Sequence, residues 1–290
     1  MFYLSETKKL NDTTRASLPG DFIELSNGHT RYEIAGPEKG PVIILIHGFS
    51  VPYFLWDHNF YALADAGYRV IRYDLFGRGG SDRPTITYDL ELYTKQLKEI
   101  TEKLLPKNST FSLMAVCMGS VIAANFSKQH PKLVEKILMV GPAGIPGSIP
   151  AHHWITKIPM WGEYLMQLWG DQELLSSLKK HLYRYNLYPE YKEQYLTFME
   201  FSGLKKALLS TIRSIHLEDM MTLYRDIGTN SCEFCFIWGI EDKVVPIRLS
   251  ELLTQAIPKA TFHSITDAGH VANYEQPKKF NELAIKFFKQ

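Results

Sequence analysis

Cysteine is scarce. Three residues in 290 exclude a disulfide framework and point to a reducing compartment. An excess of either charge is also missing: 32 Lys and Arg against 31 Asp and Glu leave a net charge of +1. That balance removes the electrostatic case for nucleic acid or an anionic membrane surface as a partner. No uncharged run approaches the roughly 20 residues of a membrane span. The opening segment, Met1 to Lys9, lacks the basic-then-apolar order of a secretory leader. Internal repeats and low-complexity tracts are absent too. These absences predict a cytoplasmic protein with no nucleic-acid partner and no membrane insertion, and they leave a homodimer open.

What is present suits a globular enzyme-sized chain. Hydrophobic residues make up 45% and charged residues 22%, enough for one large core or a core with an insertion. Aromatics, at 13%, suit either a large apolar pocket or an aromatic core. The pair Cys232 and Cys235 has C-x-x-C spacing but lies in a strand-like run. Residues three apart on a strand face opposite sides, so core packing is the better reading than redox or metal chemistry.

Along the chain, residues 1–20 read as a mobile lead-in. Two alternating runs flank Asn27-Gly28, the pattern of a β-hairpin. The continuous apolar run Val42 to Ile46 is that of a strand covered on both faces. A helix over 56–66, a strand over 69–73, a Gly-rich loop over 74–84 and a helix over 90–105 follow. Strands over 111–116 and 136–140 flank a further helix. This alternation predicts βαβ units in a doubly wound, mostly parallel α/β sheet. It stops from 148 to 229, where apolar stripes such as Tyr195, Phe198, Met199 and Phe201 have helical spacing. We expect an all-helical insertion (cap) over 148–229 and a core domain over 1–147 and 230–290. Trp154, Trp161, Trp169 and Phe198 are candidates to line a pocket under the insertion, although such residues more often pack within the insertion itself. The pattern resumes with a strand over 234–238, a helix over 247–256, a strand over 261–265 and a last helix over 271–289.

The chain is organised around Phe111 to Asn125. A strand pattern there switches to a helix pattern at Cys117, with Ala115 and Gly119 two positions to either side. This is the layout of a nucleophile elbow, G-x-S-x-G, with Ala for the first Gly and Cys for Ser. A sharp strand-to-helix turn brings flanking backbone close together, which requires small neighbours. It also places the central side chain at a helix N-terminus, where free N–H groups favour an anion. The thiolate is the nucleophilic form of cysteine. A buried cysteine in a crossover packs well too, so the chemical reading depends on partners elsewhere.

Those partners follow the ends of other expected parallel strands, where ligands collect in open α/β sheets. They are His47-Gly48-Phe49-Ser50, Trp238-Gly-Ile-Glu-Asp242 through Pro246, and Asp267-Ala-Gly-His270. With the elbow they supply backbone donors, a nucleophile, a carboxylate and a histidine, in that spatial set. His47 reads as a support for its loop, Asp74 as part of a turn scaffold, and Ser120 as a hydroxyl aimed away from the tip.

The order nucleophile, acid, histidine in these contexts, together with Tyr73-Asp-Leu-Phe-Gly-Arg-Gly-Gly-Ser-Asp-Arg-Pro84, resembles the α/β-hydrolase family from about residue 40 to the C-terminus. The resemblance implies that Cys117 attacks an acyl carbon and that His270 carries the proton. It implies that Asp242 orients the imidazole, and that the backbone N–H groups of Phe49 and Met118 form an oxyanion hole. The other family position for the acid, after the sixth strand, is Gly141-Pro142 here, which favours Asp242; Asp267 is a weaker rival. No metal or cofactor is required. Most members have Ser at the elbow. Dienelactone hydrolases and polyhydroxyalkanoate synthases use Cys, a replacement made to trap an acyl intermediate would read the same, and so would a binding protein that has lost turnover. The absence of an elbow Asp argues against epoxide hydrolase and haloalkane dehalogenase chemistry. The expected activity is hydrolysis of an ester, thioester or lactone bearing an apolar part. Acyl transfer, C–C bond hydrolysis and non-catalytic ligand reception stay open.

Overall fold

The computed structural model describes residues 3, 5–148, 155–215 and 219–290. Eight strands form one sheet: β1 (Asp21–Leu25), β2 (Gly28–Ala35), β3 (Val42–Ile46), β4 (Arg69–Tyr73), β5 (Phe111–Val116), β6 (Val134–Val140), β7 (Glu233–Gly239) and β8 (Thr261–Ile265). Their spatial order is β1-β2-β4-β3-β5-β6-β7-β8. Only β2 runs antiparallel to its neighbours; the pairs from β4 to β8 are parallel. The hairpin closes with Leu25 opposite Gly28, so its turn is Ser26-Asn27, one residue earlier than the Asn-Gly pair suggested.

The apolar runs explain the layers. Along β3, Ile44 and Ile46 enter one apolar cluster while Ile43 and Leu45 enter the other. β5 divides likewise, Leu113 and Ala115 against Met114 and Val116. Full burial of such side chains contributes about 1.5–3 kcal/mol each, and only helices on both faces can supply it. On the first face lie α3 (Leu90–Leu104), α4 (Met118–Gln129), α8 (Met221–Gly228) and α9 (Ser250–Ala256); on the second lie α2 (Asp57–Asp65) and α11 (Pro277–Lys289). The expected single C-terminal helix is broken: α10 (Ala272–Glu275) stops and α11 restarts at Pro277, whose ring cannot continue a helix hydrogen-bond ladder.

Between β6 and β7 the described residues form helices and no strand: α5 (Trp161–His181), α6 (Pro189–Met199), α7 (Leu204–Ser214) and α8. α8, which the sequence reading grouped with the insertion, packs against α4 and α9 and so belongs to the layer on the sheet. Trp154 lies outside the described residues. Among those described, no helix is long and apolar enough to cross a membrane.

The lead-in is pinned from residue 5 onward, which corrects the expectation of mobility. Lys8 N–H donates to Glu200 O at 2.8 Å, and Ser202 N–H donates to Lys8 O at 2.7 Å. The Glu6 carboxylate accepts from the N–H groups of Gly203 and Lys205 at the start of α7. A short helix α1 (Asp12–Ala16) follows, held by a reciprocal Asn11–Thr14 capping box.

Candidate active site

The turn from β5 into α4 confirms the local demand for small residues. Cys117 sits at φ 52°, ψ −120°, in the positive-φ region that costs a non-glycine residue about 1–3 kcal/mol. At Gly119 a Cβ would lie 2.6 Å from the carbonyl oxygens of both Ile46 and His47, so no larger residue fits. At Gly48 it would lie 3.3 Å from Cys117 Cβ. The β3 loop therefore presses directly on the elbow. Neither Phe49 N–H nor Met118 N–H donates to a protein acceptor among the described residues. Met118 follows the half-buried Cys117 in the chain, and Phe49 lines the same cavity as Cys117.

The β3 loop is held from below by buried polar groups. His47 Nε2 accepts from Leu75 N–H at 2.9 Å, so Nδ1 carries the proton and donates to Gly48 O at 2.9 Å. Burial pushes the His47 pKa down to about 4, which keeps it neutral, as suits a support. Arg78, fully buried, donates from Nε to Phe49 O at 2.8 Å and also reaches Tyr93 and Thr211. Asp74 accepts from Tyr53 N–H, Gly80 N–H and Arg31, which makes it the turn anchor expected.

His270 and Asp242 arrive from the loops after β8 and β7. Nδ1 of His270 is 2.8 Å from Asp242 Oδ2, and both residues are buried. The other carboxylate oxygen accepts from Val244 N–H and Val245 N–H, each at 2.8 Å, which fixes its plane. Gly141, at φ 45°, closes the third side. A Cβ there would sit 3.0 Å from both Asp242 Oδ2 and His270 Nδ1. Burial disfavours a charged His270, but the Asp242 carboxylate and then Cys117 outweigh it and lift the pKa to about 10. Nε2 of His270 makes no aligned hydrogen bond to the protein, and the Cys117 sulfur lies beside it.

Several sequence candidates fall away from this cluster. Ser120 is buried, and its hydroxyl contacts Ala115 O at 3.3 Å. Asp267 pairs with Arg184 at 2.6 Å at the surface. Cys232 and Cys235 enter opposite apolar layers, and burial raises their thiols to about 12 and about 11. The expected pocket aromatics are corrected. Trp161 and Trp169 are 58% and 55% exposed, and Phe198 stacks on Phe54 at 6.3 Å, away from the cavity. The cause is the phase of α5: the face carrying Met166, Gly170, Leu174, Ser177 and His181 turns inward, and both tryptophans fall on the other side.

A cavity of about 350 Å³ opens over Cys117 and His270, walled by the β3 loop on one side and by α5 and α7 on the other. Leu208, Ile212, Ile215 and Val244 make much of it apolar; Lys157, Lys180 and Lys243 against Glu173 give its polar part a positive bias. Two contributors escaped the sequence reading. His181 lines the cavity with its ring centroid 5.7 Å from that of His270. Buried Glu275 accepts from Gly269 N–H at 2.6 Å, Tyr183 N–H at 2.9 Å and Arg184 N–H at 3.0 Å, bolting the end of α5 to the His270 loop. Neither stands in a recognisable motif, because each acts across a long sequence gap. Among the described residues, no group of three or more His, Cys, Asp or Glu is arranged to hold a metal ion.

Comparison with known proteins agrees with this architecture. A family model described as alpha/beta hydrolase fold matches residues 41–277. A 2-hydroxy-6-oxononadienedioate/2-hydroxy-6-oxononatrienedioate hydrolase of a Pseudomonas species is 26% identical over 92% of this chain and 95% of its own. The crystal structure of the enol-lactonase from Burkholderia xenovorans LB400 superposes with a TM-score of 0.77 at 19% identity, covering 93% of this chain and all (100%) of that one. A meta-cleavage product hydrolase variant from Pseudomonas fluorescens IP01 does so with a TM-score of 0.74 at 24% identity, covering 93% and 97%.

Proposed function

The chain belongs to the α/β-hydrolase family and is a hydrolase-class enzyme, and on that premise we propose that it cleaves an ester, thioester or lactone with an apolar part through Cys117, His270 and Asp242. The observation that supports this reading is Cys117 and His270 lining one cavity, with Asp242 behind the ring and Nδ1 to Oδ2 at 2.8 Å.

In this scheme the raised His270 pKa suits the imidazole to hold the thiol proton on Nε2 as the sulfur attacks. The Cys117 sulfur bonds to the acyl carbon, and the carbonyl oxygen takes negative charge facing the free N–H groups of Phe49 and Met118. Each such donor is worth about 10²–10³ in rate. His270 Nε2 gives its proton to the leaving oxygen as the carbon–oxygen bond breaks. A water then attacks the thioester carbon and passes one proton to His270, which releases the acid and restores the pair. Asp242 holds Nδ1–H throughout. Arg78, through Phe49 O, holds the donor loop in place. The apolar wall of Leu208, Ile212 and Ile215 accounts for the apolar part of the substrate.

Cys117→Ala should abolish p-nitrophenyl ester turnover while leaving the fold intact; activity at the wild-type level in that variant would refute the assignment. A second reading, hydrolysis of a carbon–carbon bond beside a ketone, draws on the positive bias from Lys180 and Lys243 and on the similarity to a hydrolase named for an oxo-dienedioate. Loss of the dienoate chromophore on incubation with such an oxo-dienedioate would favour it.

A further inference from the structure

His181 is the last residue of α5, and among the described residues it is the one cavity-lining imidazole that the proposed chemistry leaves unused. Its surroundings fix how it can act. Nδ1 lies 3.3 Å from the hydroxyl of Tyr191, a fully buried residue. That hydroxyl has no other partner among the described residues, so its single proton has one acceptor, His181 Nδ1. Were Nδ1 the donor, the phenol proton would be buried with no acceptor, at about 1–3 kcal/mol. The ring is therefore the Nε2–H tautomer. Nε2 has no protein partner among the described residues, yet it is not sealed in like His270 Nε2. The cavity is the space left to it.

Position adds direction. His270 hands its proton to the leaving group, so groups beside its ring face that half of the substrate. The His181 ring is such a neighbour, at 5.7 Å between centroids. The opposite side, at Phe49 and Met118, belongs to the carbonyl oxygen. The backbone holds this placement: Val271 N–H donates to His181 O at 3.2 Å, tying the helix end to the residue after His270.

We propose that His181 is a specificity-determining residue whose Nε2–H hydrogen-bonds a second oxygen on the leaving-group half of the substrate, so that the preferred substrates are esters or lactones carrying an ether, hydroxyl or carbonyl oxygen beyond the scissile bond. This rests on acyl transfer to Cys117. Two facts agree with a neutral donor role. Burial, and then the charge of His270, push the His181 pKa down to about 3, so it neither repels the imidazolium nor takes its proton. Burial raises the Tyr191 hydroxyl well above its ordinary value, so it keeps the proton it donates.

The test uses two butyrate esters of the proposed substrate type that differ by one heavy atom: 2-methoxyethyl butyrate and n-butyl butyrate, oxygen against methylene. Wild type should favour the methoxy ester by about tenfold in kcat/KM, the worth of one hydrogen bond. His181→Phe should bring that ratio near one, and His181→Gln, which keeps an N–H donor, should restore part of it. The same ratio should hold for the dissociation constants measured on Cys117→Ala, which cannot turn over. That arm separates the two ideas. If wild type hydrolyses neither ester, the acyl-transfer reading fails, while the binding ratio still decides the role of His181. In ¹⁵N-histidine-labelled Cys117→Ala, the His181 Nε2–H signal should shift with the methoxy ester and not with the butyl ester. Equal affinities for the two esters, or a preference unchanged in His181→Phe, would overturn the proposal.

Discussion

Replacing Asp242 by Asn is the sharpest test of the buried dyad, because the structure determines how the amide must sit. Oδ1 accepts two backbone N–H groups, from Val244 and Val245, each at 2.8 Å. An asparagine keeps both bonds only with its carbonyl oxygen in that place. The flipped amide would bring its NH₂ against two donors, of which Val245 N–H is buried, at about 1–3 kcal/mol for a buried group left unpaired. The NH₂ is thus forced toward His270 Nδ1, at the position where Oδ2 now stands at 2.8 Å. A donor there makes Nδ1 an acceptor and moves the imidazole proton to Nε2, the nitrogen facing Cys117. The neutral ring then cannot take a proton from the thiol or from water. The carboxylate that favours the imidazolium is lost as well, so the His270 pKa must fall from about 10. In a serine-type triad this tautomer error lowers kcat by about 10⁴; with a thiol, which ionises more readily, a loss between about 10² and 10⁴ is expected. The assay is kcat/KM on a p-nitrophenyl ester from pH 5 to 10, with ¹⁵N chemical shifts reporting the His270 tautomer. A variant within tenfold of wild type, with a His270 ring still protonated at pH 8, would show that Asp242 is only a turn carboxylate.

Two further outcomes follow from the same residues. Gly141→Ala puts a methyl 3.0 Å from Asp242 Oδ2 and His270 Nδ1 at a residue with φ 45°. It should lower kcat/KM by between about 10- and 100-fold through misplacement of the dyad; unchanged kinetics would mean that the dyad's position does not govern the rate. Stability should fall on both sides of neutrality, for opposite reasons. The folded pKa of His47 is lowered from 6.5 to about 4, so its neutral form adds stability above pH 6.5 that is lost as pH falls through about 4, up to roughly 3 kcal/mol. The folded pKa of His270 is raised from 6.5 to about 10, so its contribution is full below pH 6.5 and lost as pH rises through about 10. Urea midpoints across pH should show the acid limb flattened in His47→Gln and the alkaline limb flattened in Asp242→Asn; limbs that do not change would refute these assignments.

The site was legible in the sequence where its demands are local. Gly119 must be small because the Ile46 and His47 carbonyls leave no room for a Cβ there; the carbonyls belong to the end of β3 and its loop, but the demand falls at a fixed offset from Cys117 and so shows in the spacing. Asp242 and His270 follow β7 and β8, parallel neighbours in the sheet, so topology brings their loops to one edge. The lead-in was misread because its anchors, the Lys8 backbone on Glu200 and Ser202 and the Glu6 carboxylate on the start of α7, all reach partners far along the chain and form no local pattern. The cavity wall failed for a different reason. α5 carries apolar residues on its inner face, Met166 and Leu174, and on its outer face, Trp161, Leu168 and Trp169, so periodicity does not say which side turns inward.

What orients α5 is polar and distant in sequence. Glu275 gathers the N–H groups of Tyr183, Arg184 and Gly269 onto one buried carboxylate, and Val271 N–H closes onto His181 O. A carboxylate with three N–H donors cannot be replaced by an apolar group without leaving those donors orphaned, at about 1–3 kcal/mol each. The end of α5 and the His270 loop therefore hold their relative position through the same group. His181 faces the cavity because Glu275 fixes the residues that follow it, and His270 meets Asp242 because Glu275 fixes the residue before it. The cavity wall at His181 and the His270–Asp242 pair are one mechanical unit, joined where neither periodicity nor motif spacing leaves a trace.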